Sequence, residues 1–335
     1  MSAKSNLTQR EHISVEFFYN HTLDKFKIKL LTKQLGFDRL ITEQNLHRPG
    51  LALAGFVELF SFNRIQVFGN TEMRYLHNLT SDKRKESLKK IFQFEIPCII
   101  ITNNNKPLPE LLELAEEFQI SIFITEYSTT KAVYFISDFL DDQFASKMSL
   151  HGSFVDVYGV GLLFTGKSGI GKSEVALDLI ERGHRLVADD LVILTKKGEG
   201  IIMGSGTNLV KHFMEIRGIG IIDVKSMFGV RAIRFQKRLE VILDLELWDD
   251  NASYTRTGLD DRTKSVMDVE IPYIKVPIIP GKNITVISEV IALNYLLKHY
   301  KYDAAKVFQK KLSETIKNKS NDVDRSIDYF EHDFE

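Results

Sequence analysis

The sequence predicts an α/β protein of two domains, and three observations lead there. Its 335 residues are enough for two cores of ordinary size. Short apolar runs alternate with amphipathic ones over roughly the first 125 residues, the pattern of strands and helices in a mainly parallel sheet. Further on, a strand-like run, a glycine-rich loop and a helical run follow one another around residue 166.

In the first half, "GLALAG" (50–55) and "RIQVFG" (64–69) read as strand-like pieces ending in glycine. "DKRKESLKKIFQF" (82–94) is a charged amphipathic helix, "PCIIIT" (97–102) a buried strand, "PELLELAEEFQ" (109–119) a second helix and "ISIFIT" (120–125) a further strand. In "STTKAVYFISDFLDDQFA" (128–145), Val133, Ile136, Phe139 and Leu140 fall at helical spacing, which suits a helix connecting two domains. The strand "VDVYGVGLLFTG" (155–166), the helix "KSEVALDLIERG" (172–183) and the strand "HRLVADDLVILT" (184–195) open the second half. Several short strand-like runs then precede two C-terminal helices. The expected division is an N-terminal α/β domain over 1–128, a linker helix over 129–149, a catalytic domain over 150–318 and an acidic, mobile tail over 319–335.

Composition excludes several classes. A formal net charge of −1 gives no global basic field for nucleic acid or an anionic membrane. The single cysteine, Cys98, rules out an internal disulfide or a two-cysteine metal site and reads as a small buried hydrophobe. The N-terminus lacks a basic start followed by an apolar stretch, and no apolar run approaches the ~18–20 residues of a membrane span. The expected location is the cytoplasm.

The motif G-x-x-x-x-G-K-[S/T] is matched by Gly166, Lys167, Ser168, Gly169, Ile170, Gly171, Lys172 and Ser173. Glycines there let successive backbone N–H groups turn toward an anion, and the following helix adds its unpaired N–H groups and partial positive charge. Lys172 supplies a mobile cation for terminal phosphates, and Ser173 a hydroxyl suited to Mg²⁺. One helix later, "LVADD" ends a strand at Asp189 and Asp190; one could approach a metal while the other takes a proton from the acceptor. Glu215 and Arg217 lie two apart, so a strand would present a metal ligand and a phosphate-binding guanidinium on one face.

"HGSFVDVYGVG" before the loop and "FMEIRGIGIIDV" (213–224) after the aspartates, with "GKSGIGKSE" and "RGHRLVADD", closely resemble the bifunctional HPr kinase/phosphorylases of bacteria. "HRPGLALAG", "RIQVFGNTE", "GLDD" and "IPYIKVP" extend the resemblance over about residues 45–300. It implies a P-loop kinase domain of phosphoenolpyruvate-carboxykinase-like type, ATP or pyrophosphate as phosphoryl donor to a serine of HPr, and reversal by phosphorolysis with inorganic phosphate, giving pyrophosphate. It further implies that Asp189 is the catalytic base, that His151, Lys172 and Arg256 are active-site residues, that Ser173 and Glu215 hold Mg²⁺, and that the protein is a homohexamer. Where the family usually has "VRPGRN", this chain has "IIPGKN" (278–283), with Ile279 and Lys282 in place of two arginines. That segment is associated with dephosphorylation, and neither replacement is equivalent to a guanidinium. A small-molecule kinase or carboxykinase-like enzyme and a non-catalytic ATP-sensing regulator are the competing readings. The second would need loss of the base or metal ligands, yet all are present.

Overall fold

The computed structural model describes residues 7–198, 200–207, 212–249, 262–279 and 281–321. The chain divides into two compact units, one over Leu7–Ser146 and one beginning at Lys147.

The first unit is a three-layer α/β sandwich. Its sheet runs in the order β1 (Ile28–Leu30), β4 (Ser121–Thr125), β3 (Cys98–Ile101), β2 (Gln66–Phe68), with β2, β3 and β4 parallel and β1 antiparallel. A strand covered on both faces needs apolar residues at every position, and "CIII" meets that requirement. Ile99 and Ile101 pack toward α2 (Asn70–His77), α3 (Ser81–Phe92) and α4 (Pro109–Glu117). Cys98 and Ile100 face α1 (Val15–Thr22) and α5 (Thr129–Phe144). Burial in that apolar layer pushes the Cys98 thiol pKa well up, so it stays a packed neutral group.

Two expectations differ from this unit. "GLALAG" forms a single helical turn over Gly50–Leu53, because two residues of it, Ala52 and Leu53, are buried beside α3 rather than alternating across a sheet. The helix expected to connect domains ends at Phe144, and Ala132, Ile136 and Leu140 bury it in the core of the first unit.

The second unit stacks helices, a mixed sheet and an antiparallel sheet. Its mixed sheet has the order β8 (Arg185–Ala188), β6 (Ser153–Val157), β7 (Val160–Gly166), β14 (Val241–Leu247), β16 (Val269–Ile278), β15 (Thr263–Val266). Strand β7 is parallel to β14 and antiparallel to β6. A second sheet runs β5 (Lys147–His151), β9 (Leu191–Lys197), β10 (Ile201–Gly206), β13 (Gln236–Arg238), all antiparallel. Alternation along β7 sends Leu162 and Phe164 toward α6 (Lys172–Glu181) and α8 (Ile284–His299), and Leu163 toward the second sheet. A hairpin, β11 (Phe213–Ile216) and β12 (Gly220–Asp223), leads into a short α7 (Val224–Phe228), and α9 (Ala304–Asn321) ends the described chain.

Both strands expected at the start of this half are broken in two. In the first, Tyr158 and Gly159 take φ of 52° and 84°, and the run folds back as the β6–β7 hairpin. In the second, the chain leaves β8 at Ala188 and joins the other sheet at Leu191, with Asp190 in the left-handed region at φ 62°. The expected acidic tail starts beyond Asn318, but α9 continues to Asn321, and 322–335 lie outside the described residues.

In the first unit, α3 and α4 are joined by a buried ion pair. Arg84 Nη1 donates to Glu110 Oε1 at 2.8 Å, and Ser81 Oγ donates to the same oxygen at 2.8 Å. Arg84 also donates to the carbonyls of Leu76 and Leu79 at 2.9 and 3.1 Å. A hydrogen bond from backbone at Glu110, then those of Ser81 and Arg84, hold the Glu110 pKa down to about 2. This stabilisation is complete above the unfolded carboxylate pKa, near ~4.3, and is lost as pH falls toward about 2. Arg84→Ala leaves a buried carboxylate unpaired and is expected to cost about 3 kcal/mol in denaturant unfolding at neutral pH. Glu110→Gln is expected to flatten the acid limb of the stability curve measured between pH 2 and pH 5.

Candidate active site

The loop between β7 and α6 has the geometry of an anion cradle. Its three glycines, 166, 169 and 171, have φ of 137°, 79° and 103°, a run of left-handed backbone closed to most other residues. At Gly169 the requirement is also steric, since a Cβ there would lie 2.3 Å from Nη1 of Arg217. Lys172, the first residue of α6, curls back so that Nζ donates to the carbonyls of Gly166 and Lys167 at 3.3 and 3.1 Å. The ammonium therefore sits over the loop that its own helix closes.

Ser173 Oγ lies 3.0 and 2.9 Å from the two carboxylate oxygens of Asp189. Ser153, the first residue of β6, donates to Asp189 Oδ1 at 2.5 Å. Asp189 is only 6% exposed. Burial is the largest influence on its carboxyl group and raises the pKa; the hydrogen bonds from Ser153 and Ser173 oppose it, and the nearby charge of Asp190 adds to it. Asp190 points the other way, with its side chain 75% exposed and Oδ1 3.4 Å from Nδ1 of His151. His151 ends β5 directly opposite Leu191, and the Gly152 N–H donates to the Asp190 carbonyl at 3.1 Å. Adjacent aspartates thus have opposite environments, one buried against the phosphate loop and one solvated beside an imidazole.

Glu215 is exposed on β11, because Met214 and Ile216 on either side turn into the core shared with α6. Arg217 lies beyond the end of that strand, so the two residues do not share a strand face as expected. It belongs instead to the turn of the β11–β12 hairpin, from which its guanidinium reaches Gly169. The structure therefore assembles Lys172, Ser173, Asp189 and Arg217 around one loop, with His151 and Asp190 paired beyond Asp189. Arg256 lies outside the described residues.

Two residues around this loop escape motif reading. Ser153 is one, with only its place before a strand to mark it. Asp244 is the other, on the parallel neighbour of β7: it accepts from Thr165 Oγ1 at 2.8 Å and from Tyr273 Oη at 2.6 Å. The run "VILDLEL" with an acidic residue after three apolar ones is the signal that could have found it.

The oxygen donors at the loop fit a hard divalent cation. Ser173 and Asp189 offer a hydroxyl and a carboxylate, and among the described residues no group of three or more His, Cys, Asp and Glu side chains could hold a metal. A site with so few protein ligands suits Mg²⁺, which keeps water and takes phosphate oxygens, rather than a metal in an all-protein cage.

A strand, a phosphate-wrapping loop, a helix and a buried aspartate on the loop serine define a P-loop phosphotransferase. The family model described as HPr Serine kinase C-terminal domain matches residues 142–312, and that described as HPr Serine kinase N terminus matches residues 14–140. The chain belongs to the HPr serine kinase family. It is 54% identical over 340 residues to an HPr kinase/phosphorylase of Chloroherpeton thalassium, with 100% of each chain covered. An HPr kinase/phosphorylase of Prosthecochloris aestuarii is 50% identical over 315 residues, covering 93% of each. The solved Hpr(Ser) kinase/phosphatase from Coxiella burnetii is 34% identical with a TM-score of 0.43, covering 48% of this chain and 97% of that one.

The raised carboxyl pKa of Asp189 has a consequence for stability. The folded protein holds that proton more tightly than the unfolded chain, so stability falls as pH rises from the ordinary value of ~3.9 through the raised one, and the penalty persists at neutral pH. Asp189→Asn keeps the hydrogen-bonding shape without the buried charge. It is expected to leave the fold intact and raise stability by about 1 kcal/mol at neutral pH, measured by thermal and denaturant unfolding.

Proposed function

We propose that this protein transfers the terminal phosphoryl group of ATP to a serine of the phosphocarrier HPr, and reverses the transfer by phosphorolysis with inorganic phosphate, releasing pyrophosphate. The observation that carries this reading is the buried Asp189 carboxylate, held 2.9 Å from the hydroxyl of the phosphate-loop serine. Matching of both family domains and near-complete coverage of the curated relatives support HPr as the acceptor. They weigh against a small-molecule acceptor.

In the forward direction the loop N–H groups and Lys172 bind the polyphosphate, and Arg217 brings a guanidinium to the same loop. Asp189 removes the proton of the acceptor serine as its oxygen attacks, and His151, steadied by Asp190, stands on the acceptor side. In the reverse direction the loop holds inorganic phosphate, whose oxygen attacks phosphoserine. Asp189, now protonated, returns the proton to the departing serine oxygen. Burial raises the Asp189 pKa, which strengthens it as a base, and the hydrogen bonds from Ser153 and Ser173 oppose that shift and hold the carboxyl group in place. Ser173, beside the Asp189 carboxylate, would hold Mg²⁺, with Glu215 the ligand that the family resemblance adds; when bound, the ion would neutralise charge on the phosphates. Arg256 is assigned an active-site role by the family resemblance, as is pyrophosphate that of an alternative donor.

Lys282 and Ile279 sit in the turn before α8, where the Lys282 N–H donates to the Ile279 carbonyl at 3.0 Å. α8 is tied to the loop helix by a two-pronged pair from Arg182 to Glu289, at 2.9 and 2.7 Å. That pair holds the C-terminal end of the loop helix, and by the family resemblance phosphorolysis is the half-reaction that the altered turn would tune. No helix among the described residues is long and apolar enough to cross a membrane. A cytoplasmic homohexamer, with no nucleic-acid or membrane partner, completes the reading.

Phosphoryl transfer to purified HPr, followed with labelled ATP, tests the assignment. Asp189→Asn is expected to lose about 10²–10⁴-fold in kcat in both directions; retention of both activities would overturn the role of this residue. The acid limb of the wild-type kinase pH profile should lie above the ~3.9 of an ordinary aspartate, because the base is the group whose pKa burial raises. Ile279→Arg with Lys282→Arg should raise the rate of pyrophosphate release from phospho-HPr more than the forward rate, measured with the same enzyme batch.

A further inference from the structure

Asp189 stands just past the end of β8, and Asp190 after it has left-handed backbone, so no strand ladder fixes the direction of the Asp189 side chain. Its carboxylate can turn about two bonds, and hydrogen bonds set where its oxygens point. The two hydroxyls that reach it are not equivalent. Ser173 lies 3.0 and 2.9 Å from the two oxygens, almost equally far from both, and selects neither. It is half-buried in the first turn of α6, where it answers to whatever the phosphate loop holds. Ser153 donates to Oδ1 alone, at 2.5 Å, and is 1% exposed. Its backbone is fixed in the sheet opposite Phe164 of the loop strand, and the Gly152 N–H beside it donates to the Asp190 carbonyl.

The residue type at 153 is itself informative. Strand β6, "SFVDV", is buried at all five positions, and a strand covered on both faces calls for apolar residues throughout. Its two polar residues are therefore exceptions, each with a partner. Asp156 accepts from Arg234 Nη1 at 2.5 Å, and Ser153 donates to Asp189. A valine at 153 would continue the row of Val155 and Val157 on the same face of the strand, so packing alone does not call for a hydroxyl.

We infer that Ser153 is a positioning residue for phosphoryl transfer, whose hydroxyl holds Asp189 Oδ1 so that Oδ2 is presented to the acceptor serine. At 1% exposure it is out of reach of HPr and nucleotide and acts through Asp189. In the forward step the acceptor O–H bond breaks and its oxygen bonds to phosphorus. The bond to the leaving diphosphate opens, and the proton passes to Oδ2. Ser153 keeps its own proton throughout. When the loop is filled and Ser173 turns to its contents, Ser153 keeps the carboxylate from swinging away. The inference rests on Asp189 being the base proposed above.

Ser153→Thr and Ser153→Val test it, because the two replacements share a shape and differ in the hydroxyl. Transfer from labelled ATP to HPr and pyrophosphate release from phospho-HPr are followed for each, with ATP affinity by calorimetry and thermal unfolding to confirm a folded enzyme. Ser153→Val should have a kcat about tenfold below Ser153→Thr in both directions, since slight misplacement of a catalytic group costs up to about 10²-fold. KM for HPr and ATP affinity should match wild type in both. Ser153→Ala, which adds no volume, should show the same loss as valine. In an Asp189→Asn background the threonine and valine variants should differ by less than about twofold, as expected of a group that acts through the carboxylate. Equal kcat for the two variants with Asp189 present would overturn the inference while leaving the base assignment standing. A tenfold difference that persists without Asp189 would also overturn it, as would weakened ATP or HPr binding at unchanged kcat. Full activity of Asp189→Asn itself would instead remove the base reading beneath it.

Discussion

The arrangement of the second unit depends on keeping one carboxylate out of water. Asp189 is buried in a place where its charge is disfavoured, and the two serine hydroxyls that compensate it come from elements far apart in sequence. Ser153 requires β6 to begin where it does, and Ser173 requires α6 to start directly behind the phosphate loop. Those two demands fix the helix against the sheet, since α6 cannot shift without separating hydroxyl from carboxylate. The loop glycines follow from the same constraint. A loop that turns its N–H groups inward while delivering Ser173 to Asp189 has no room for side chains at 166 and 169.

Much of this was legible in the sequence. The phosphate loop has a spacing with a physical reason at each position, and the strand before it and helix after it are unmistakable patterns. The aspartate pair could be located, but not the way it divides: the strand ends at Ala188, and Asp190 turns away from Asp189 through left-handed backbone rather than by strand alternation. The hairpin at Tyr158–Gly159 was not legible, because strand-forming residues on both sides read as one strand and a tyrosine is an uncommon left-handed residue. Arg217 was misplaced for a related reason. Period-two reasoning holds only inside a strand, and β11 ends one residue too early. The arginine reaches the loop through a turn whose conformation its own neighbours, Gly218 and Gly220, make available.

The first unit reads differently. Its three parallel strands are short and largely buried, so apolar runs announce them, while the edge strand β1 carries an exposed Lys29 and gives no such signal; "GLALAG" shows how a small apolar run is assigned by what it packs against. The same holds for α5, whose periodicity predicted a helix correctly but could not say which core would take its apolar face.

The break between β8 and β9 has a mechanical meaning. The chain crosses from one sheet to the other at Asp189–Asp190, and it makes the reverse crossing at His151–Ser153, from β5 to β6. The two crossings lie side by side, and the Gly152–Asp190 hydrogen bond pins them together. Gly152 suits the junction, because a Cβ there would come within 2.6 Å of the Phe164 carbonyl on the loop strand. The acidic pair and the histidine are therefore mounted on a double seam. A sliding of the sheets past each other would carry them as one rigid bracket, changing their distance to the phosphate loop while preserving their distance to each other.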